Sequence, residues 1–388
     1  MTFHQEDHKL LMIPGPIEVA DDVLYANAHA AVAHVSPQFV PVFGEVLQML
    51  RKTVDAPSAQ PIVVAGSGTM GWDMISLNVL QPGDDVLVLT TGYFGDAFAD
   101  ALRTYGVQVE QLRAPVGGRP GPDEIRAKLE SKKFRAITIT QVDTSTAVLS
   151  DIKAVSELVH QVSPETLVVV DGVCSVASEE IHMDAWGIDV IMTASQKGLG
   201  CPPGLCIVMA GPRAIQALES RKSPATYYLN WNRWIPVMKS YEAGTPIYFG
   251  TPPTNLIYAL HQSLKTITEG PVSLQERYKM HREASKKVKD TIRSLGLKQL
   301  VSEELQASNG ASNSMTAVCY PDGLGAADIL PKMAQRDIVF GAGLLKDYKD
   351  KYFRIGHMGV SVIDPKRKDI DRIMQNLGEV LAEAGHIN

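Results

Sequence analysis

A lysine and an aspartate, each at the end of an apolar run, are the residues of this chain best placed to do chemistry. Asp189-Val190-Ile191-Met192-Thr193-Ala194 leads into Ser195-Gln196-Lys197-Gly198, and upstream Leu167-Val168-Val169-Val170 stops at Asp171. Short apolar runs bounded by small and polar residues read as buried strands, and open parallel sheets bind ligands outside the carboxyl ends of their strands. An amine and a carboxylate on neighbouring strand ends are what pyridoxal phosphate needs, one for a Schiff base and one for the pyridinium nitrogen. Desolvation on an apolar strand lowers the pKa of Lys197 toward that of a usable nucleophile and base. A carboxylate buried behind four apolar residues must be paired, and the bland use of Asp171 is to cap a helix after Gly172.

Ala65-Gly66-Ser67-Gly68-Thr69-Met70-Gly71 lies between an apolar run and a helical pattern. Backbone N–H groups at such a helix start attract a phosphate, small residues let it approach, and the hydroxyls of Ser67 and Thr69 add donors. The same residues spell GxGxxG, but the next strand ends in Thr90-Thr91-Gly92, with no acid to hold a ribose diol, so a dinucleotide is disfavoured. Tyr93 and Phe94 offer a ring to stack on a flat cofactor, one of them being expected in the core. Gln141-Val142-Asp143-Thr144-Ser145-Thr146 offers hydroxyls and a carboxylate for a phenolic oxygen, or simply a turn or helix cap. Arg354, in a predicted strand, has the planar fork that grips an α-carboxylate in a bidentate pair.

The elements that would carry these residues alternate. Ile62–Ala65, Val86–Leu89, Ala136–Thr140, Leu167–Val170 and Asp189–Ala194 read as strands, with helices over Met70–Leu80, Ala97–Tyr105 and Ile152–Gln161. Near-continuous apolar strands between helices imply a mostly parallel sheet covered on both faces. The fold class is therefore α/β, with a large domain over residues 17–260 behind an N-terminal segment, 1–16. The chain from 261 to 388 reads as a smaller α+β domain: helices over Asn255–Glu269 and Pro271–Leu295, a strand over Ser314–Tyr320, a helix near Ala326–Arg336, a strand pair around Val339 and Tyr352–Ile355, and a last helix from Lys368. Gly211–Pro253 reads as irregular, and its aromatic residues suit a subunit interface.

The 388 residues are 45% hydrophobic, enough for more than one domain, and the net charge of −6 argues against nucleic acid. The four cysteines form neither a CxxC pair nor a disulfide framework, and no ligand cluster of suitable spacing predicts a metal. No run approaches a membrane span of roughly 18 residues. Glu6 and Asp7 stand where a secretory signal would be basic, so the expectation is a soluble, non-secreted protein of cytosol or mitochondrion. The terminal His386-Ile387-Asn388 is no peroxisomal address.

Taken together these motifs resemble the class V aminotransferases, pyridoxal-phosphate enzymes of fold type I. The likeness runs from Ile13-Pro14-Gly15-Pro16 through Ala65–Thr69, Asp143–Ala147, Val170–Ser175, Thr193–Lys197 and Phe249–Pro253 to Phe353–Gly359. It implies that Lys197 forms the Schiff base, Asp171 pairs with the ring nitrogen and Val173 packs on one ring face. Phe94 stands where many relatives carry tryptophan. Ser67, Gly68 and Thr69 with Gln196 would hold the phosphate, Thr69 replacing a histidine of some relatives. Thr144, or its neighbour Ser145, would bond the ring oxygen, while Arg354 and Gly15 would meet the substrate. Tyr248 and Thr251 match residues that reach the phosphate in the other subunit, implying a homodimer with shared sites. His34 is the one histidine considered near the site, with a structural role favoured. The fungal branch of the family implies transfer of the amino group of L-alanine to glyoxylate, giving pyruvate and glycine by a ping-pong route. Serine as donor is the alternative. A class V lyase such as a cysteine desulfurase would need a mobile cysteine, whereas Cys319 sits in an apolar strand.

Overall fold

A computed structural model describes residues 3–221 and 223–387. Met1, Thr2 and Asn388, which belong to the terminal segments read for targeting signals, lie outside the described residues, as does Lys222. Seven strands form the central sheet, in the order Gln60–Ala65, Leu205–Ala210, Val190–Ala194, Leu167–Asp171, Ala136–Thr140, Asp85–Thr90 and Gln108–Arg113. All neighbours are parallel except at Leu205–Ala210, which runs against both of its partners. Every residue of Ala136–Thr140, Leu167–Asp171, Val190–Ala194 and Leu205–Ala210 is buried. Strands hidden on both faces can be apolar throughout, and three of these show no alternation; Ala136–Thr140 alternates isoleucine and threonine, yet Thr138 and Thr140 are buried as well.

Two strands of the sheet escape the sequence reading. Gln108–Arg113, Gln-Val-Glu-Gln-Leu-Arg, is a half-exposed edge strand, and edges tolerate charge that interior strands exclude. Leu205–Ala210 is an apolar run that periodicity alone cannot tell from buried helix. Gly211–Pro253, expected to be irregular, contains helices Pro212–Glu219 and Trp231–Glu242. The second holds Pro236 in its interior, which on sequence grounds argues against a helix, but the burial of Trp231, Trp234 and Tyr241 outweighs it.

The C-terminal part carries a three-stranded sheet in the order Gly341–Ala342, Tyr352–Gly356, Met315–Cys319, antiparallel throughout. The strand pair expected around Val339 and Tyr352–Ile355 forms two residues further on, between Gly341–Ala342 and Tyr352–Gly356. Ile338–Val339 instead pairs in parallel with Leu10–Leu11 of the N-terminal segment. Leu10 and Met12 accordingly pack in one apolar cluster with Val288, Ile292, Ile373 and Leu377 of the long helices Leu274–Ser294 and Asp369–Glu383. A third cluster, including Ile17, Val142, Cys174, Met315 and Met358, joins the two sheets beside Lys197 and Asp171.

Candidate active site

Asp171, Lys197 and the Gly66–Thr69 turn meet at the carboxyl ends of the parallel strands. Ser67, Gly68, Thr69, Phe94, Thr144, Asp171, Val173, Gln196 and Lys197 all line one cavity of about 190 Å³, joined by Trp72, Thr140, Val142 and Cys174. Leu167–Asp171 and Val190–Ala194 are hydrogen-bonded neighbours, so the carboxylate and the amine emerge side by side.

Asp171 is buried, yet no lysine, arginine or histidine among the described residues pairs with it. Its Oδ1 accepts from the Val173 N–H at 3.0 Å and its Oδ2 from the Trp72 indole N–H at 2.9 Å. Burial pushes the carboxyl up to about 6 against the pull of these two donors. Lys197 is buried too, and loss of water holds its pKa below the ordinary lysine range, with Cys174 opposing and the Arg354 cation adding to the fall. The Lys197 ammonium donates to the Pro14 carbonyl. Gly15, at φ +124°, packs so closely on Lys197 that a Cβ there would overlap its Cδ and Nζ. No side chain with a Cβ is comfortable in that conformation against that neighbour.

At the Gly66–Thr69 turn the N–H of Gly66 bonds the Gly204 carbonyl at 2.9 Å, whereas those of Ser67, Gly68 and Thr69 find no acceptor among the described residues. They point from the start of helix Met70–Asn78, where free donors and the helix dipole favour an anion. A Cβ on Gly68 would stand 3.0 Å from Val173 Cγ2, so glycine is what lets this turn close over Val173. Gln196 Oε1 is buried without a hydrogen-bond partner.

The Gln141–Thr146 loop divides its labour. Thr144 lines the cavity. Asp143 and Ser145 are buried and turned elsewhere: Asp143 accepts from the Phe94 N–H at 3.2 Å, and Ser145 Oγ accepts from the Tyr93 N–H at 2.9 Å and donates to Asp143 at 2.6 Å. Together they cap helix Tyr93–Thr104, a capping use that the sequence left open beside the cofactor one. Of the two aromatics, Phe94 faces the cavity and Tyr93 is exposed.

Arg354 lies on strand Tyr352–Gly356 and adjoins the cavity. Its Nε donates to the Ala342 carbonyl at 2.8 Å and its Nη1 to the Thr144 carbonyl at 3.1 Å, and no carboxylate among the described residues pairs with it. Tyr248 and Thr251 are exposed and do not line the cavity. The His34 ring sits against Tyr248, centroids 5.5 Å apart, and its carbonyl accepts from the Tyr241 hydroxyl. Cys319 is likewise absent from the cavity walls. Sequence reasoning missed Trp72 and Cys174. The signal for Trp72 was available, since it follows the glycine turn by one helical turn, but a tryptophan in a buried helix reads as core.

An α/β sheet with a lysine, a carboxylate and an anion-ready helix start at its strand ends defines a class of cofactor-dependent transferase. The sequence profile of the family described as Aminotransferase class-V matches residues 20–344. The chain belongs to the class V aminotransferases. It is 43% identical over 361 residues to alanine–glyoxylate aminotransferase 1 of Saccharomyces cerevisiae, covering 90% of this chain and 92% of that one. It is 31% identical to serine–glyoxylate aminotransferase of Arabidopsis thaliana, over 90% of this chain and 85% of the relative. The crystal structure of alanine–glyoxylate aminotransferase from Nostoc sp. superposes with a TM-score of 0.88 at 30% identity, over 97% of this chain and 96% of that one.

Proposed function

We propose that this aminotransferase binds pyridoxal phosphate in the Lys197 cavity and moves the amino group of L-alanine to glyoxylate. The observation that carries the reading is the buried pair Asp171 and Lys197 in one cavity with three unengaged N–H donors. Each feature matches a part of the cofactor: an unpaired carboxylate for a protonated ring nitrogen, an amine for the aldehyde, and a helix start for the phosphate. When bound, the cofactor supplies an aldehyde that captures amino groups and a ring that withdraws electrons from the substrate α-carbon.

The residues then have separable tasks. Ser67, Gly68, Thr69 and Gln196 hold the phosphate, Phe94 and Val173 take the two ring faces, and Thr144 meets the ring oxygen. Arg354 orients the substrate by its carboxylate, which fixes the α-carbon near Lys197 Nζ. Lys197, held below the ordinary lysine range by burial, gives up its proton readily and moves the α-proton as base and then acid. Alanine is favoured as donor by the similarity to the yeast enzyme, whose name specifies it.

Lys197→Ala should retain bound cofactor without a covalent link and lose turnover by several orders of magnitude; turnover near the parent level would remove Lys197 from this role. The donor is tested by adding alanine, and separately serine, to purified enzyme without any keto acid. Loss of the absorbance of the aldehyde form with alanine alone supports the proposal, and loss with serine alone reassigns the donor. No cofactor absorbance after loading would overturn the cofactor reading itself.

The same reading makes the enzyme a homodimer in which Tyr248 and Thr251 approach the partner's phosphate site. It is supported by the exposure of Tyr227, Tyr228, Ile247 and Tyr248, a density of apolar surface that subunit contacts use. A monomer mass by light scattering, with full cofactor loading, would refute it.

A further inference from the structure

A larger cavity, of about 310 Å³, lies apart from the active-site cavity and shares no lining residue with it. Its walls come from the stretch 18–23, from helix Thr254–Thr268, from the start of helix Leu274–Ser294 and from the segment that begins at Gly359. One residue in it stands out. Arg277 is 5% exposed, and its guanidinium has no carboxylate partner among the described residues. Nε donates to the Ala177 carbonyl at 2.8 Å and Nη2 to the Gly198 carbonyl at 2.9 Å, while Nη1 has no acceptor among the described residues. Burial pulls this arginine down to about 10, with only Tyr278 opposing. A buried guanidinium ordinarily has an acid beside it, because carbonyls offset only part of the cost of removing its charge from water.

The acids lining the cavity are engaged elsewhere. Glu18 receives Arg367, His8 and the Leu11 N–H. Asp22 takes the Val23 N–H at 2.9 Å and Gln262 at 2.8 Å, and Asp364 takes the Lys366 N–H at 3.0 Å. Val23, Ile267 and Val360 make the wall between them apolar. The cavity thus offers one unpaired buried cation and a hydrophobic body, the complement of a small carboxylic acid with an apolar group.

We propose that this cavity is a second ligand site, binding a small apolar monocarboxylate with its carboxylate on Arg277 and its body against Val23, Ile267 and Val360. Arg277 also holds the carbonyl of Gly198, the residue after Lys197. The cavity is lined by Gly200 of the same loop and by Gly359, which follows the Arg354 strand. A ligand here therefore bears on the two segments that carry Lys197 and Arg354, as an effector rather than a substrate.

The test is calorimetric titration of the cofactor-loaded enzyme with benzoate, with neutral benzamide as control. Benzoate is expected to bind and benzamide not. Arg277→Gln should weaken benzoate by about tenfold or more, the scale of one hydrogen bond to a charged group. Should that variant fold poorly, Thr266→Phe decides: Thr266 is an exposed residue on the cavity wall, and the larger ring should abolish benzoate binding while leaving the core intact. Arg354→Gln separates this site from the active site and should leave benzoate affinity unchanged. Binding that is lost in Arg354→Gln but kept in Thr266→Phe, equal binding of benzamide, or no binding of benzoate would each overturn the proposal.

Discussion

Trp72 shows at the scale of one residue how a buried carboxylate is kept ionisable. Its indole N–H to Asp171 Oδ2 is one of two bonds that oppose the effect of burial. Trp72→Phe keeps most of the packing on Phe98, whose ring lies stacked at 5.6 Å, and removes only the donor. Asp171 should then titrate higher, and cofactor affinity should fall by about tenfold, measured on the apoenzyme by fluorescence. Unchanged affinity would make Trp72 mere packing. Asp171 itself carries a pH signature. Its folded pKa of about 6 lies above the unassociated 3.8, so protonation stabilises the cofactor-free fold; that contribution is complete below pH 3.8 and is lost as pH rises through about 6. Asp171→Asn should therefore stabilise the cofactor-free protein at pH 8 by up to about 3 kcal/mol, with the gap closing toward pH 4 in urea unfolding. A gap independent of pH would refute the assignment. Lys197 and Asp171 were legible in the sequence because each ends an apolar run. Arg277 was not, since one arginine in a long charged helix has no local feature that marks it as buried.

At the scale of elements, what holds the two sheets in register is a polar clasp inside an apolar boundary. Glu179, in the turn after the Asp171 strand, is buried and accepts from Ser312 Oγ at 2.9 Å and from the Asn313 N–H and side-chain amide at 2.5 and 2.8 Å. Each donor it satisfies belongs to the segment leading into strand Met315–Cys319. Glu179→Ala strips the Asn313 N–H and side-chain amide of their acceptor and leaves the Ser312 hydroxyl only Ser314, at a cost of about 3 kcal/mol; a thermal midpoint unchanged from the parent would contradict this. Glu179→Gln should cost less, since it keeps one acceptor. The sequence disclosed elements in proportion to how far a single segment decides its own state. Val190–Ala194 and Ala136–Thr140 are buried on both faces and announce themselves. Trp231–Glu242 is a helix because the core accepts its aromatic residues, and Leu10–Leu11 is a strand because Ile338–Val339 lies beside it. Both depend on partners remote in sequence, which no local pattern records. The Gln141–Thr146 loop is an intermediate case: its hydroxyls and carboxylate were legible, but their division between a helix cap and the cavity is set by the neighbouring strand end at Gly92–Phe94.

For the whole molecule, acid should be the destabilising direction wherever buried histidines dominate. His281 and His357 are fully buried and held down to about 3 by loss of water. His281 bonds the Arg277 carbonyl and accepts from the Gly359 N–H, and His357 bridges Thr316 and the Asn313 carbonyl. A depressed histidine contributes stability that is present above pH 6.5 and lost as pH falls toward about 3, near 1.4 kcal/mol per pH unit for each ring. His357→Gln should flatten the fall in thermal midpoint between pH 6.5 and 4.5; a slope equal to the parent's would count against it. The pairing of Leu10–Leu11 with Ile338–Val339 has a further consequence, for synthesis. Pro14, whose carbonyl receives Lys197, is made long before the strand that anchors its segment. A nascent chain carries Lys197, Asp171 and the Gly66–Thr69 turn well before residue 338 leaves the ribosome. Its amine therefore lacks the N-terminal cover from the time Lys197 is made until the Ile338–Val339 strand follows, and the covered cavity arises only once that strand is in place.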